Sequence, residues 1–222
     1  ICEGLVGSEM CIRDRDMGPY YFTALVNLLG PAESVYSQSR TVYKKRVIGS
    51  GNRKNEEVEV DIPTTLVSQI EFESGALIDS FFSFDTWKHN KNHIELYGDK
   101  GSINIPDPNT FGGSIQICTE KNGKWKTITT NENNLGKINI DRSEKTNENP
   151  GIANYRGIGV SEMIDSIKHK RLNRCSGQLS LHVLDILDTI IKSAKEEKKL
   201  DLRSSVNEVK YFSEEENIKL LI

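Results

Sequence analysis

The stretch TTLVSQIEFESGALIDSFFSFDTW, residues 64–87, decides what fold to expect from this 222-residue chain. Apolar and polar side chains alternate on both sides of Glu73-Ser74-Gly75, and alternation is the pattern of a half-buried strand. A short segment with glycine between two such runs is typical of a β-hairpin. The stretch therefore predicts two antiparallel strands that bury one face.

The flanking segments repeat this pattern. SVYSQSRTVY (34–43) is typical of a strand, and GSGNRKNEE (49–57) of a polar turn. HIELYGDKGSINI (93–105) predicts a hairpin that turns at Gly98 and Gly101, and GSIQICTEKNGKWKTIT (113–129) one that turns at Asn122-Gly123. Consecutive hairpins, with about six to eight strands, favour a largely antiparallel sheet.

Helical spacing of apolar residues predicts three helices, over residues 16–29, 159–170 and 177–198. Asp16 is expected to be the N-cap of the first, Pro19 to lie in its first turn, and Gly30-Pro31 to end it. Residues 129–152 are rich in Asn, Glu and Lys and predict a long loop or flap. The predicted fold class is α+β, with an open, largely antiparallel sheet and helices packed on one face.

Composition excludes several functions. The net charge of −3 argues against nucleic-acid binding, which needs a clustered basic face. No apolar run is long enough to span a membrane. The four cysteines have neither disulfide-framework nor zinc spacing, so the expected compartment is the cytoplasm.

The N-terminal residues have no structural logic of their own. LVGSEMCIRD, residues 5–14, resembles the in-frame translation of a transposase sequencing adapter. We therefore expect residues 1–15 to be a non-native leader, residues 16–222 to be the native domain, and the native gene to continue upstream.

Two glycine-rich stretches resemble nucleotide-binding loops only superficially. GSGNRK (49–54) lacks the third glycine and the following helix of a dinucleotide fingerprint, and GDKGS (98–102) lacks the spacing of a P-loop. Both predict turns, so no cofactor-binding residue is expected within the chain.

Asp16 and Tyr20 are the candidate catalytic residues. They are four positions apart at the start of a helix, so both side chains can lie on one side of it. A phenol beside a carboxylate can exchange a proton with a substrate hydroxyl. The alternative is that Asp16 only caps the helix and Tyr20 only packs.

The candidate substrate-binding residues are Trp87, His89, Tyr155 and Arg156. Trp87 and His89 follow a predicted strand and could line a polyol pocket, or pack at the strand edge. Arg156, next to Tyr155 and just before a helix, could bind a substrate hydroxyl or carboxylate, or anchor the flap. No metal site is expected, because His89 and His93 lie outside any helix. His182, within an apolar helix, is expected to be a satisfied core or interface histidine.

Several segments in order resemble the C-terminal domain of the Gfo/Idh/MocA oxidoreductases: DMGPYYFTALVNLLGP, IEFESGALIDSFFSFDTW, IELYGDKGSINIPDPNTFGG and RGIGVSEMIDSIKHKRLNRCSGQLSLHVLDIL. The resemblance covers residues 16 to about 202. It implies an NAD(P)-dependent oxidoreductase acting on CH–OH groups of sugars, inositols and related polyols. It also implies a preceding Rossmann domain that binds NAD or NADP and carries a catalytic lysine.

The family has an Asp-x-x-x-His motif at this helix, so Asp16 matches the aspartate and Tyr20 stands at the histidine. We therefore expect the substrate-binding half of a sugar or polyol dehydrogenase, a homodimer or homotetramer at full length and inactive as this chain alone. One alternative is a non-catalytic carbohydrate-binding or scaffold domain; another is a relative with different chemistry, such as NAD-dependent glycoside cleavage.

Overall fold

The computed structural model describes residues 13–130, 132–141, 151–207, 211–213, 215–216 and 218. The chain forms two compact units: Ile1–His89 with Ser176–Val209, and Asn90–Cys175 with Lys210–Ile222. The predicted α+β class with open antiparallel sheets is confirmed. In the described residues the longer strands form two four-stranded sheets, one in each unit, rather than one sheet.

The sheet of the first unit contains β1 (Ala32–Arg40), β4 (Thr65–Phe72), β5 (Leu77–Ser83) and β12 (Leu200–Asp201), in the order β12-β1-β4-β5. A short hairpin of β2 (Lys45–Val47) and β3 (Glu57–Glu59) lies between β1 and β4 along the chain. Glu71 pairs with Leu77, which confirms the hairpin predicted around Glu73-Ser74-Gly75. Gly75 has a φ of +84°, a conformation that glycine adopts without strain.

Helices α1 (Arg13–Leu29) and α3 (Gly177–Glu196) belong to this unit. Residues of β4 alternate between buried and exposed, so that Leu66, Ile70 and Phe72 lie on the buried face. Helix α3 packs on β1, and α1 packs on α3. The fully buried apolar side chains of this core include Phe22, Val35, Ile70, Phe72, Leu179, Ile186 and Ile190.

The predicted start of α1 is wrong. The helix includes Arg13–Arg15, so Asp16 is the fourth residue of its described part and does not cap it. Those three residues, assigned to the leader, supply a helical turn before Asp16; residues 1–12 lie outside the described part of the chain. Pro19 therefore lies beyond the first turn, where it cannot donate to the Arg15 carbonyl. The predicted end is confirmed: Gly30 has a φ of +90°, and its N–H donates to the Val26 carbonyl at 3.0 Å.

The second unit contains a meander of β6 (Ile94–Gly98), β7 (Gly101–Ile105), β8 (Ser114–Cys118) and β9 (Lys126–Thr129), paired in that order. Both predicted hairpins are confirmed. At Gly101, φ is +152° and a Cβ would lie 2.4 Å from the Cys118 carbonyl oxygen, so the turn requires glycine there. Asn122 takes a φ of 57°, the left-handed conformation that asparagine tolerates in turns.

Residues 129–152, predicted as a loop, contain two very short strands. Strand β10 (Ile140–Asp141) pairs antiparallel with β11 (Gly151–Ile152). Residues 142–150 lie outside the described part of the chain. Two-residue strands depend on backbone pairing alone and leave no periodic signal in the sequence.

Helix α2 (Ile158–Lys168) buries its polar side. Val160, Met163, Ile164 and Ile167 share one face, as predicted, but all four are at least 48% exposed. Glu162 is buried instead, because its carboxylate accepts from Arg171 Nη1 and Nη2 at 2.6 Å each and from Arg174 Nη1 at 3.1 Å.

Among the described residues, no helix has the length and apolar character needed to cross a membrane.

Candidate functional site

The rotation of α1 about its own axis is fixed by the side of the helix that packs in the core. Phe22 is fully buried, and its ring centroid lies 5.7 Å from that of Phe82. Gly18 is also buried, and a Cβ there would lie 2.6 Å from Leu187 Cδ2 of α3. Glycine at position 18 therefore permits the close approach of α1 to α3.

Asp16 and Tyr20 lie on the opposite side of α1. Asp16 is exposed, and Tyr20 is 40% exposed. Thr23 and Asn27 continue the same side at helical spacing and are half-buried. Sequence reasoning missed these two, although polar residues at i+7 and i+11 from Asp16 were the available signal. A carboxylate, a phenol and two further polar side chains on one helix side can hydrogen-bond a hydroxylated ligand.

A groove of about 360 Å³ lies between α1 and α3, next to the polar side of α1 that includes Thr23. Its volume is at the low end of the range of small-molecule sites, about 300–1,000 Å³. The lining combines apolar side chains, which suit C–H groups, with hydroxyl and carboxylate groups. Its residues are Pro19, Thr23, Ser180, Val183, Leu184, Leu187 and Asp188.

Asp85 anchors the segment that follows the last residue of β5, Ser83, through hydrogen bonds and an ion pair. Its carboxylate accepts from Arg46 Nη2 at 2.7 Å, Thr64 Oγ1 at 2.6 Å and Thr65 Oγ1 at 2.8 Å, and its side chain is 7% exposed. Burial raises the pKa of Asp85, but the threonine hydroxyls and the guanidinium outweigh burial, so the net pKa is below its usual value. The base of the segment is thus held by an ionised carboxylate.

Trp87 and His89 follow this anchor. Trp87 is 95% exposed and His89 is exposed. Neither lines the groove between α1 and α3. They present a free aromatic face and an imidazole on a fastened segment, rather than the wall of a pocket.

Tyr155 and Arg156 lie in the second unit and hold two loops together. Tyr155 Oη donates to the Lys137 carbonyl at 2.9 Å, and its ring meets the Phe111 ring edge-on at 5.8 Å. Arg156 Nη2 donates to the Asn109 carbonyl at 2.8 Å and to its Oδ1 at 3.1 Å. Tyr155 thus contacts the predicted flap at Lys137, whereas Arg156, for which flap anchoring was the alternative to substrate binding, contacts Asn109 outside that flap.

The six predicted site residues therefore occupy three segments, two in the first unit and one in the second. In the described residues, no three His, Cys, Asp or Glu side chains cluster as a metal site would require. Gly49 and Gly51 lie between β2 and β3, and Gly98 and Gly101 turn the β6–β7 hairpin, so these stretches form turns as predicted. Neither precedes a helix N-terminus, so neither of these two stretches forms a dinucleotide cradle.

Part of the chain matches a model of a known protein family. Residues 15–104 match the family model described as GFO/IDH/MocA C-terminal domain. A search of curated protein sequences gave no match.

Solved structures share the fold. Levoglucosan dehydrogenase in complex with NADH and levoglucosan is 18% identical, with a TM-score of 0.62 over 85% of this chain and 50% of its own. An NAD binding oxidoreductase from Klebsiella pneumoniae is 16% identical, with a TM-score of 0.64 over 87% and 51%. Aldose-aldose oxidoreductase from Caulobacter crescentus, complexed with glycerol, is 17% identical, with a TM-score of 0.56 over 86% and 47%. The chain thus spans about half the length of these proteins.

Proposed function

We propose, because residues 15–104 match the model of the Gfo/Idh/MocA C-terminal domain, that the chain supplies the substrate-binding part of an NAD(P)-dependent dehydrogenase of sugars or polyols. The whole protein would move a hydride between a C–OH carbon of the substrate and NAD or NADP. The observation that carries the proposal is the Asp16–Tyr20 pair, exposed on a helix that the buried Gly18 holds against α3. Solved proteins of this fold include complexes with NADH, levoglucosan and glycerol.

The roles proposed for this chain concern the substrate and its proton. Tyr20 Oη would hydrogen-bond to the substrate hydroxyl and take or return its proton as the carbonyl forms or is reduced. Asp16 would orient the phenol and the substrate. The family resemblance places a lysine that assists this transfer outside the chain. Since the two glycine-rich stretches form turns, we assign neither of them to the cofactor.

The other four predicted residues divide into two roles. Trp87 would offer its exposed ring to the C–H face of a sugar, and His89 would hydrogen-bond to a hydroxyl. Tyr155 and Arg156 already donate to backbone carbonyls, so we assign them to loop anchoring rather than to substrate.

The proposal is tested with a longer gene product that contains these 222 residues. In a spectrophotometric assay with NAD and NADP and a panel of sugars and polyols, we expect Tyr20→Phe to lower kcat by about 10² to 10⁴-fold, the usual contribution of a general acid or base, with little change in KM. The 222-residue chain alone is expected to be inactive. A Tyr20→Phe enzyme with unchanged kcat would contradict the catalytic role.

A second candidate is a non-catalytic carbohydrate-binding domain. The 95% exposed Trp87, on a segment fastened through Asp85, favours it, because free aromatic faces bind sugars without catalysis. NMR titration of the 222-residue chain with the same panel distinguishes the two. Shifts confined to Trp87 and its neighbours favour simple binding, whereas shifts at Tyr20 favour the dehydrogenase.

The proposal also includes a cytoplasmic location and a homodimer or homotetramer of the whole protein. The face of the first sheet that turns away from α3 carries exposed apolar side chains, which is typical of an interface. They are Tyr36, Val67, Leu77 and Phe81. Analytical ultracentrifugation of Phe81→Lys against the unchanged protein tests this surface: dissociation is expected, and an unchanged mass excludes it.

A further inference from the structure

Two backbone N–H groups of β1 donate to side chains of α3 rather than to another strand. The Ala32 N–H donates to His182 Nε2 at 2.9 Å, and the Ser37 N–H donates to Ser193 Oγ at 2.9 Å. His182 and Ser193 are both fully buried. A buried backbone donor without an acceptor is costly, so these side chains complete the hydrogen bonding of β1.

The spacing of the two contacts shows why the arrangement fits. The eleven residue-to-residue steps of α3 from His182 to Ser193 rise about 16.5 Å at 1.5 Å each. The five steps of β1 from Ala32 to Ser37 extend at most about 16.5 Å at 3.3 Å each, because the register shifts between Ala32 and Ser34. Helix and strand therefore run in the same direction, and the two side chains fasten β1 at matching points.

The hydrogen bonds of His182 determine which ring nitrogen carries the proton. Because Nε2 accepts from the Ala32 N–H, the ring proton is on Nδ1, which donates to Ser204 Oγ at 3.0 Å. Ser204 Oγ in turn donates to Asp185 Oδ2 at 2.8 Å. A second ring proton, on Nε2, would face the Ala32 N–H, donor against donor. The neutral ring is therefore the only form that fits, and the expectation of a satisfied core histidine is confirmed.

Two carboxylates favour the protonated form of His182. Asp185 lies one turn along α3 itself, and Glu73 lies in the turn between β4 and β5. Burial lowers the pKa of His182 and outweighs the hydrogen bond that the ring donates to Ser204 and the two carboxylates, all of which raise it. Burial also raises the pKa of Asp185, but donors from Ser204 and Arg203 bring it below its usual value. An ionised Asp185 thus accompanies a neutral His182.

We propose that His182 is an acid-sensitive latch: a proton on Nε2 breaks its bond to Ala32 and frees the start of β1 from α3, while Asp185 still holds Arg203 and Ser204. Ser193, which does not titrate, still accepts from Ser37 farther along β1. The latch is independent of the dehydrogenase proposal, because it uses no residue assigned to substrate.

The size of the effect follows from proton linkage. A histidine whose folded pKa is depressed stabilises the closed state fully above its unfolded value of 6.5, and that contribution is lost as pH falls below it. If only the open state takes the proton, the opening equilibrium constant at Ala32 rises by up to about 30-fold between pH 7.5 and pH 5.0.

The test is amide hydrogen exchange by NMR on the 222-residue chain at pH 7.5 and pH 5.0, with each rate divided by its intrinsic value. Ala32 and Ser37 are a matched pair on one strand, facing one helix. We expect opening at Ala32 to increase 10- to 30-fold more than opening at Ser37. Equal changes at the two amides, or none, would overturn the proposal.

Two variants sharpen the test. His182→Gln can still accept from Ala32 but does not titrate, so the difference between the amides should disappear. Ser193→Ala should speed exchange at Ser37 equally at both pH values. If His182→Gln does not fold, the ring ¹⁵N shifts of the unchanged chain decide, with exposed His89 as the reference. A neutral Nδ1–H ring at pH 7.5 that gains its proton together with opening at Ala32 supports the latch; protonation without such opening contradicts it.

Discussion

Replacing Glu162 by Gln should destabilise the second unit strongly. Glu162 is the buried centre of an ion-pair network, with a side chain only 4% exposed. It accepts from Arg171 twice at 2.6 Å, and from the side chain and backbone N–H of Arg174 at 3.1 Å each. Glutamine keeps the shape but removes the charge, and its amide NH₂ must face guanidinium donors.

The magnitude follows from what the two arginines retain. Breaking a buried ion pair by removing one partner costs about 3–5 kcal/mol. Arg171 keeps a bond to Asp165 at 2.6 Å and Arg174 keeps one to Glu216 at 2.7 Å, and Arg171 is 28% exposed. We therefore expect the lower end, about 3 kcal/mol. With an m-value of about 1–3 kcal/mol/M, the urea midpoint should fall by about 1–3 M.

The two tryptophans allow each unit to be followed. Trp87 lies in the first unit and Trp125 in the second, so a Trp87→Phe background leaves Trp125 as the reporter of the second unit. Asp165→Asn is the matched control, because it removes the more exposed partner of the same Arg171 guanidinium. If Glu162→Gln and Asp165→Asn shift the urea midpoint equally, the buried carboxylate is not the centre of the network and the reasoning is refuted.

Three further predictions concern packing, anchoring and acid. Gly18→Ala should lower the free energy of unfolding by about 1 kcal/mol, because overpacking against Leu187 costs about 1–3 kcal/mol and the higher helix propensity of alanine offsets about 1 kcal/mol. Gly177→Ala is the control, because open space surrounds Gly177 and no destabilisation is expected. Thermal unfolding followed by circular dichroism compares the two variants. Asp85→Asn should cost about 2 kcal/mol in urea unfolding of the first unit, as bonds to a charged acceptor are lost; an unchanged midpoint contradicts the anchor. Hydrogen bonds from Ser213 and Arg174 lower the pKa of Glu216 to about 2. The stability that the Glu216 carboxylate contributes is therefore present above about pH 4.5 and is lost as pH falls toward 2. Glu216→Gln should flatten the acid unfolding curve between these pH values, and an unaltered curve contradicts this.

The sequence predicted local structure well and non-local structure poorly. Alternation and turn residues are properties of neighbouring positions, which is why the hairpin over residues 65–83 and the turns at Gly98, Gly101 and Asn122 are confirmed. The division of strands between two sheets depends on pairs such as Val35 with Leu200, which no local pattern encodes. Periodicity grouped the apolar residues of α2 on one face but could not say that solvent faces it.

The same distinction applies to the site. The spacing of Asp16 and Tyr20 was enough to place them on one side of α1, because a helix repeats every 3.6 residues. The N-cap expectation failed because it depended on the preceding residues, which continue the helix. Arg156 donates to Asn109, which is 47 residues away along the chain. Tyr155 donates to the Lys137 carbonyl, which is 18 residues away. Only the folded chain shows that these polar groups are already occupied.

Acid should act on the two units in different pH ranges. His182 is buried neutral in the first unit, so its effect begins as pH falls below 6.5, while most carboxylates are still ionised. In the second unit Glu162, Asp165 and Glu216 all have lowered pKa values, and their stabilisation is lost only below about 4.5. Opening at Ala32 should therefore increase at pH 5 to 6 while Trp125 fluorescence stays constant. Simultaneous changes would mean that one global transition, rather than the latch, governs the acid response.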